Sequence, residues 1–314
     1  MSESSSIFRA AARLILDLSR KDRVAVFTRD DGFLPHLWRL ARRPSIRGFY
    51  ELHDYYADLS WREGSVPFRN RREQFMERVF LPRISGIVCI CHEQEKLYQK
   101  TFPGIVSLSR PLGTKPFPDA DPEAKRLQRT VVYVGHTQKF KGSTFMAQAA
   151  VALARRNIRT LFMGGYKENS EKLIGPAQKA GYGGMVESRA FLPPKEMHRI
   201  LAERASVGVV MLPDTFYNRH LTCPVKALDY LSHGIPAFST DLATTREVLG
   251  EAGIYLSDSD PEQFAGKVAD LLDDRAGYAR AVERMKARAR DLQWVHRARD
   301  LVQFSTEAFG NGVR

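Results

Sequence analysis

Residues Thr222–Glu247 read TCPVKALDYLSHGIPAFSTDLATTRE. A loop leads into a short helix over Val225–Ser232. A Gly-Ile-Pro turn, a buried strand over Ala237–Ser239 and the start of another helix follow. The polar residues gather where the first helix begins and just past the strand. An α/β fold puts ligand chemistry there, because helix N-termini carry unpaired N–H groups and the positive end of the helix dipole. Lys226 and Asp229 are three positions apart and share a helix face. They read either as a surface ion pair or as a lysine for phosphate beside an acid that accepts from two ribose hydroxyls. The stretch predicts one wall of a pocket for a phosphorylated sugar donor.

Outward from this stretch, strands alternate with helices, which implies parallel sheets. In the first half the strands are Arg23–Arg29, Arg47–Leu52, Gly86–Cys91 and Ile105–Ser109. The helices are Ile7–Ser19, Phe33–Ala41, Arg69–Phe80 and Glu93–Lys100. RPLGTKPFPDADPEAK, with its four prolines, is the best candidate for a linker. The second half repeats the alternation: strands Thr130–Val134, Thr160–Met163, Val186–Phe191, Val207–Leu212 and Ile254–Leu256, with helices Ser143–Arg155, Asn169–Ala180, Pro194–Ala205, Pro261–Asp273, Gly277–Leu292 and Trp294–Phe304. A chain of 314 residues fits two domains.

Val131–Gly142, VVYVGHTQKFKG, is the natural partner of the opening stretch. A hydrophobic strand ends in Gly135, a polar loop carries Lys139 and Lys141, and a helix begins after Gly142. Glycine lets backbone approach a phosphate closely, and lysine neutralises it as a mobile point charge. The pattern is neither a Walker loop nor GxGxxG, so by itself it reads equally as a turn. No GxSxG or HExxH occurs, which leaves serine-hydrolase and zinc-protease readings without support.

The formal net charge is +12. That favours anionic partners, namely nucleotide phosphates, nucleic acid or an anionic membrane surface. The densest basic stretches, Arg69–Arg78 and Arg280–Arg299, lack the interleaved aromatics of a single-strand nucleic-acid platform, so nucleic acid is not expected. Arg69–Arg78 reads either as a peripheral membrane-binding helix or as a solvated helix packed on a sheet. No apolar run nears the roughly 20 residues of a membrane-spanning helix, and the N-terminal residues do not read as a signal peptide. A cytoplasmic protein is expected, with contact at the inner face of the membrane as an option. Cys89, Cys91 and Cys223 read as free thiols. His92, His198, His233 and His296 lack metal-ligand spacing. Asp119-Ala-Asp121 and Asp258-Ser-Asp260 are better explained by capping and turn chemistry than by a metal.

VVYVGHTQKFKG, LFMGG, RAFLPPKEMHRIL, SVGVVMLP, CPVKALDYLSHGIPAFSTD and QWVHRA, in this order and spacing over roughly residues 129–300, resemble the C-terminal half of family 4 type glycosyltransferases with the GT-B fold. FYELHD and GIVCICHEQEKL resemble that family's HD strand end and its next strand and helix. The resemblance implies an α/β GT-B protein of two facing Rossmann-like domains with parallel sheets. They would be residues 1–120 on the acceptor side and residues 121–290 binding the nucleotide-sugar, with 291–314 forming a helix that crosses back.

By position, Gly135, His136 and the loop to Lys141 would meet the diphosphate, and His136 stands where the family often has arginine. Gly164 would allow close approach to base or ribose, and the backbone near Phe191-Leu192 would read the base. Thr222 to Val225 would offer N–H groups to phosphate, Lys226 would meet it, and Asp229 would take the acidic ribose-binding position. His53 would lie near the reacting sugar and Lys141 would stabilise the leaving diphosphate. The family commonly has two glutamates eight positions apart here; Asp229 takes the second position and Leu221 the first, where no sugar hydroxyl can be bound. The first strand, RVAVFTR, resembles a later strand of the family's N-terminal domain, so that domain is expected to be shortened.

The reading is a retaining, metal-independent glycosyltransferase. It would use a nucleotide diphosphate-sugar as substrate, with no other cofactor, and a glycan or lipid-linked acceptor. The alternatives are a non-catalytic nucleotide-sugar-binding or scaffold subunit and, more remotely, a sugar-nucleotide epimerase.

Overall fold

The computed structural model describes residues 3–118, 120–137, 142–257 and 260–310. Two compact units divide the chain. The first comprises residues 1–111, 220–222 and 297–314, and the second 112–219 and 223–296.

In the first unit, α1 (Glu3–Leu18), β1 (Val24–Thr28), α2 (Leu34–Ala41), β2 (Ile46–Leu52), α3 (Phe68–Phe80), β3 (Gly86–Cys89), α4 (His92–Thr101) and β4 (Ser107–Ser109) alternate along the chain. The four strands pair in parallel in the order β1-β2-β3-β4. β2 is buried along nearly its whole length, as a central parallel strand should be. Gly48 lets α2 lie close on it, since a Cβ there would stand 2.7 Å from Leu37 Cγ. β4 is shorter than its apolar pattern suggested, because the turn that bonds Ile105 N–H to the Phe102 carbonyl delays the extended conformation.

The second unit holds α5 (Pro122–Leu127), β5 (Thr130–Val134), α6 (Ser143–Ala154), β6 (Arg159–Met163), α7 (Ser170–Lys179), β7 (Val186–Arg189), α8 (Pro194–Arg204), β8 (Val207–Val210), α9 (Phe216–His220), α10 (Val225–Ser232), β9 (Ala237–Thr240), α11 (Ala243–Leu249), β10 (Ile254–Leu256), α12 (Pro261–Asp273) and α13 (Arg275–Asp291). His220, the last residue of α9, already groups with the first unit. Six parallel strands run β10-β9-β8-β5-β6-β7. Val131 and Tyr133 of β5 and Phe162 of β6 pack with Met146 of α6 and with Phe264 and Val268 of α12 in one buried cluster. The final helix, α14 (Trp294–Gly310), opens in the second unit and continues from Arg297 as part of the first. There Phe304 lies 5.1 Å from Phe49, ring centroid to centroid.

The proline-rich exit is not a free tether. Thr114 N–H donates to the Leu292 carbonyl at 2.7 Å, and Phe117 N–H donates to Ser232 at 2.9 Å. Lys125, on a helix missing from the sequence reading, is buried with Nζ 2.7 Å from the His233 carbonyl. Proline spacing signals a lack of long helix, not a lack of packing.

From β5 the chain steps outward to β6 and β7, then returns to place β8 on the other flank of β5. Such a reversal leaves a crevice at the strands' carboxyl ends, where ligands of open α/β sheets bind. Here β5 and β8 part after the Val132–Gly208 pair. The fully buried Tyr230 of α10 takes over the exposed edge of β5. Its hydroxyl donates to the Val132 carbonyl at 3.0 Å and accepts from Val134 N–H at 3.1 Å. Gly208 makes room, because a Cβ there would lie 2.5 Å from the Tyr230 ring. Tyr230→Phe leaves two buried backbone groups unsatisfied, so equilibrium denaturation should show a loss of about 1–3 kcal/mol; an unchanged unfolding midpoint and slope would count against this role.

Candidate functional site

The second unit gathers its ligand-competent residues at the carboxyl ends of β5, β6 and β7. Gly135 and Gly164 follow β5 and β6 with φ of 111° and 108°, a region that favours glycine. Gly135 N–H bonds the Met163 carbonyl at 2.8 Å, and Gly164 N–H bonds that of Arg189 at 3.0 Å. A Cβ on Gly164 would stand 2.6 Å from the Gly135 carbonyl oxygen, so the two turns nest backbone on backbone. Gly142, at the start of α6, is held as closely to the Met211 carbonyl of the β8 end.

Above these turns, Phe191 stands edge-on to His136 at 5.2 Å and to Tyr166 at 5.7 Å between ring centroids. Phe191 and Tyr166 are exposed and form a surface on which a flat ring can stack. Tyr133 fixes the His136 backbone by donating to its carbonyl at 2.7 Å. Leu192 follows, half-buried.

Lys226 reaches this place from α10. Its Nζ lies 3.7 Å from the centroid of the Tyr133 ring, a cation–π contact, and its Cε comes within 3.8 Å of the Cβ position of Gly135. The lysine therefore sits at the Gly135 turn rather than in an ion pair with Asp229. Asp229 is mostly buried, with no hydrogen-bond donor to its carboxylate among the described residues. Burial pushes its pKa up to about 6, leaving it largely ionised at neutral pH. Val225, at the first helical position, is exposed. Thr222 is buried in the segment 220–222 that groups with the first unit, and Leu221 is fully buried beside it. Lys139 and Lys141 lie outside the described residues.

His53 closes β2 in the first unit. Its Nε2 is 2.8 Å from Glu51 Oε1, and Glu51 Oε2 accepts from Arg297 of α14 at 2.6 Å. The His53 hydrogen bond and the guanidinium hold the Glu51 carboxyl below the usual carboxylate range. Arg297 is itself buried and donates to the Pro111 carbonyl at 3.1 Å. Sequence reading missed Glu51 and Arg297. Glu51 had a signal, since residues two apart in a strand share a face; Arg297 had none.

Next to His53, α3 runs against its own apolar pattern. It buries Glu73, Met76 and Glu77 and exposes Phe68 (84%) and Phe75 (61%). Glu77 accepts from the Tyr98 hydroxyl at 2.7 Å and from Tyr56 N–H at 3.1 Å. Burial outweighs these bonds and pushes its pKa up to about 8.

Among the described residues, no group of three or more His, Cys, Asp or Glu side chains is placed to hold a metal. Asp119 and Asp258 fall outside them, while His198 and His233 hydrogen-bond each other at 3.0 Å. The three cysteines are buried and no disulfide joins them. No described helix is long and apolar enough to cross a membrane.

Residues 128–274 match the family described as Glycosyl transferases group 1. Over this stretch, 147 of the 314 residues, the chain is similar to group 1 glycosyltransferases. D-inositol 3-phosphate glycosyltransferase of Corynebacterium efficiens is 25% identical over 186 residues, covering 57% of this chain and 43% of that protein. The Nocardia farcinica enzyme of the same name is 25% identical over 183 residues, covering 55% and 39%. The chain thus spans less than half the length of these curated relatives. Among solved structures, sucrose-phosphate synthase from Thermosynechococcus elongatus superposes with a TM-score of 0.66 at 19% identity, covering 91% of this chain and 74% of its own. Anabaena Alr3699/HepE in complex with UDP-glucose gives 0.65 at 12%, covering 94% and 81%. The fold is α/β of the GT-B class, with a four-stranded and a six-stranded parallel sheet. The matched residues 128–274 include Gly135, His136, Gly164, Leu192, Thr222, Val225, Lys226 and Asp229; Thr222, like His53, groups with the first unit.

Glu77 gives stability a pH dependence. Its proton is held in the folded chain and lost in the unfolded one between the ordinary carboxylate range and about pH 8, so its contribution is full in acid and fades as pH rises through that window. In urea titrations from pH 5 to 9, Glu77→Gln should flatten this decline; a variant that tracks the wild type across the whole range would refute it.

Proposed function

We propose that the chain transfers a sugar from a nucleotide diphosphate-sugar, held by the stretch similar to group 1 glycosyltransferases, to a hydroxyl of a glycan or lipid-linked acceptor. The observation that carries this reading is the convergence at the parting of β5 and β8: Lys226 lies at the Gly135 turn and Tyr230 anchors the helix bearing Asp229. Gly135, Lys226 and the first turn of α10 at Val225 bind the diphosphate, with Lys141 adding charge as the leaving group develops it. Asp229 accepts from the ribose hydroxyls. Gly164, Leu192 and the aromatic surface of His136, Phe191 and Tyr166 receive the base and ribose.

His53, oriented by Glu51, contacts the reacting sugar, and Thr222 adds a backbone donor to phosphate. The reaction retains configuration at the anomeric carbon and uses neither a metal nor a further cofactor. The presence of UDP-glucose in the HepE structure makes UDP-sugars the first donors to test.

Lys226→Ala and Asp229→Asn should each weaken binding of UDP or a UDP-sugar by about tenfold or more in titration calorimetry, as loss of a charged hydrogen-bonding group does. For the wild type, affinity should fall as pH drops through about 6, because protonated Asp229 no longer accepts from both hydroxyls. If no nucleotide among UDP, GDP, ADP and dTDP binds, or if both variants bind like the wild type, the donor site is elsewhere.

We also propose that α3 touches an anionic membrane surface. Phe68 and Phe75 are exposed beside the exposed Arg71, Arg72 and Arg78, the mixture an interfacial helix uses. Co-sedimentation with phosphatidylglycerol vesicles should drop several-fold in a Phe68→Ser/Phe75→Ser variant; equal sedimentation of both proteins would exclude α3 as the contact.

A further inference from the structure

α1 carries more apolar surface than its own unit covers. One face packs on α2 and β1. There Phe8 lies 5.7 Å from Phe33 and 6.3 Å from His36, ring centroid to centroid, and a Cβ on Gly32 would stand 2.8 Å from the Phe8 ring. The other face is open: Ile7 is 61% exposed, Leu14 61% and Leu18 50%. At about 100° per residue these three fall within about 40° of one another, so they form one stripe along the helix. Single exposed apolar side chains need no explanation, but a contiguous patch marks an interaction site.

Spacing and charge say what covers the stripe. Ile7, Ala11, Leu14 and Leu18 follow one another in steps of four, three and four, the apolar repeat by which one helix packs along another. Arg9 and Arg13 lie about 120–160° round the helix from the stripe. Burial, Arg39 and Arg9 hold the His36 imidazole below its usual range, which puts Arg9 on the α2 side. Of the charged side chains described on α1, Asp17 comes nearest the stripe, about 80° away, and its pair with Arg20 at 3.0 Å leaves that edge neutral. The stripe thus lacks the cationic border that draws a helix onto anionic lipid.

Self-complementarity selects a second copy of this chain. Side by side in antiparallel order, about a twofold axis between Ala11 and Leu14, two such helices set Ile7 against Leu18 of the second copy and Leu14 against Ala11 of the second copy. Each Leu14 then fills the space above a small residue, and the exposed Ala10 lets the helices approach closely. A parallel pair would set Ala11 against Ala11 and leave a costly void. Patches that match themselves in this way build twofold dimers. A pair of 16-residue helices buries less than the roughly 800 Å2 per partner of a standard stable interface, so the association is weak and depends on concentration.

We propose that α1 is a self-association surface, and that two copies of this chain pair reversibly through antiparallel α1 helices centred between Ala11 and Leu14. The pairing does not rest on the transferase reading. Sedimentation velocity of the full chain from about 1 μM to 1 mM tests it: the mean sedimentation coefficient should climb from the monomer value towards that of a dimer. Leu14→Glu puts a charge into the central layer and should weaken association by about tenfold or more. Leu14 is largely exposed, so the variant's circular dichroism and urea midpoint should match the wild type. Register is read by crosslinking with a short bis-maleimide, to which the buried native cysteines offer little. Chains bearing Ile7→Cys mixed with chains bearing Leu18→Cys should be joined far more than either variant alone. A chain that stays monomeric at the highest concentration overturns the proposal. So does a Leu14→Glu variant that associates like the wild type, and so does crosslinking no greater in the mixture than in one variant by itself. If Leu14→Glu instead lowers co-sedimentation with phosphatidylglycerol vesicles several-fold and the wild type forms no dimer in solution, the stripe faces lipid and the proposal falls.

Discussion

One phenol holds the donor side of this protein together. Where β5 and β8 separate, the edge of β5 would be left with an unpaired N–H and carbonyl inside a dry interior, which is strongly disfavoured. Tyr230 occupies the gap and satisfies both. Because it belongs to α10, the same contact sets where that helix begins, and so where Lys226 and Asp229 stand relative to the Gly135 turn. A crevice in a parallel sheet is normally a weakness of the ladder; here it is closed below by a side chain and remains available above for a ligand. The lysine is positioned by the same logic, lying over the Tyr133 ring, a neighbour that attracts a cation without neutralising it.

Much of this was legible in the sequence. Parallel strands buried on both faces read as short apolar runs between helical segments, and glycines immediately after β5 and β6 marked the turns where backbone approaches backbone. Lys226, Asp229 and the residues around Gly135 could be singled out because helix beginnings and strand ends are local features. Tyr230 could not, since a tyrosine in an apolar helix reads as ordinary core and its reason lies at Gly208 and Val134, distant in the chain. The packed proline-rich exit escaped for the same reason: residues 112–118 carry turn chemistry, and only the assembled unit shows that their N–H groups end on Leu292 and Ser232.

The opposite case is α3, where sequence periodicity and burial disagree. In the sequence, Arg69–Arg78 reads either as a peripheral membrane-binding helix or as a solvated helix packed on a sheet. Folding inverts that pattern, hiding Glu73 and Glu77 and leaving Phe68 and Phe75 in water. Such an inversion opposes the hydrophobic effect twice, and local conflicts of this kind concentrate at functional sites. The helix accordingly contributes two different surfaces, a polar interior wall and an apolar, cationic exterior.

The Arg297–Glu51–His53 chain has a consequence in time. Glu51 and His53 emerge early in synthesis, yet the guanidinium that holds Glu51 comes from α14, and the bond joins residues 246 positions apart. Domains tend to fold in the order in which they leave the ribosome. The first unit can form its sheet before Arg297 is made, but the orientation of His53 has to wait for that first turn of α14. A product that stops short of Arg297 would then carry a folded sheet with an unset histidine.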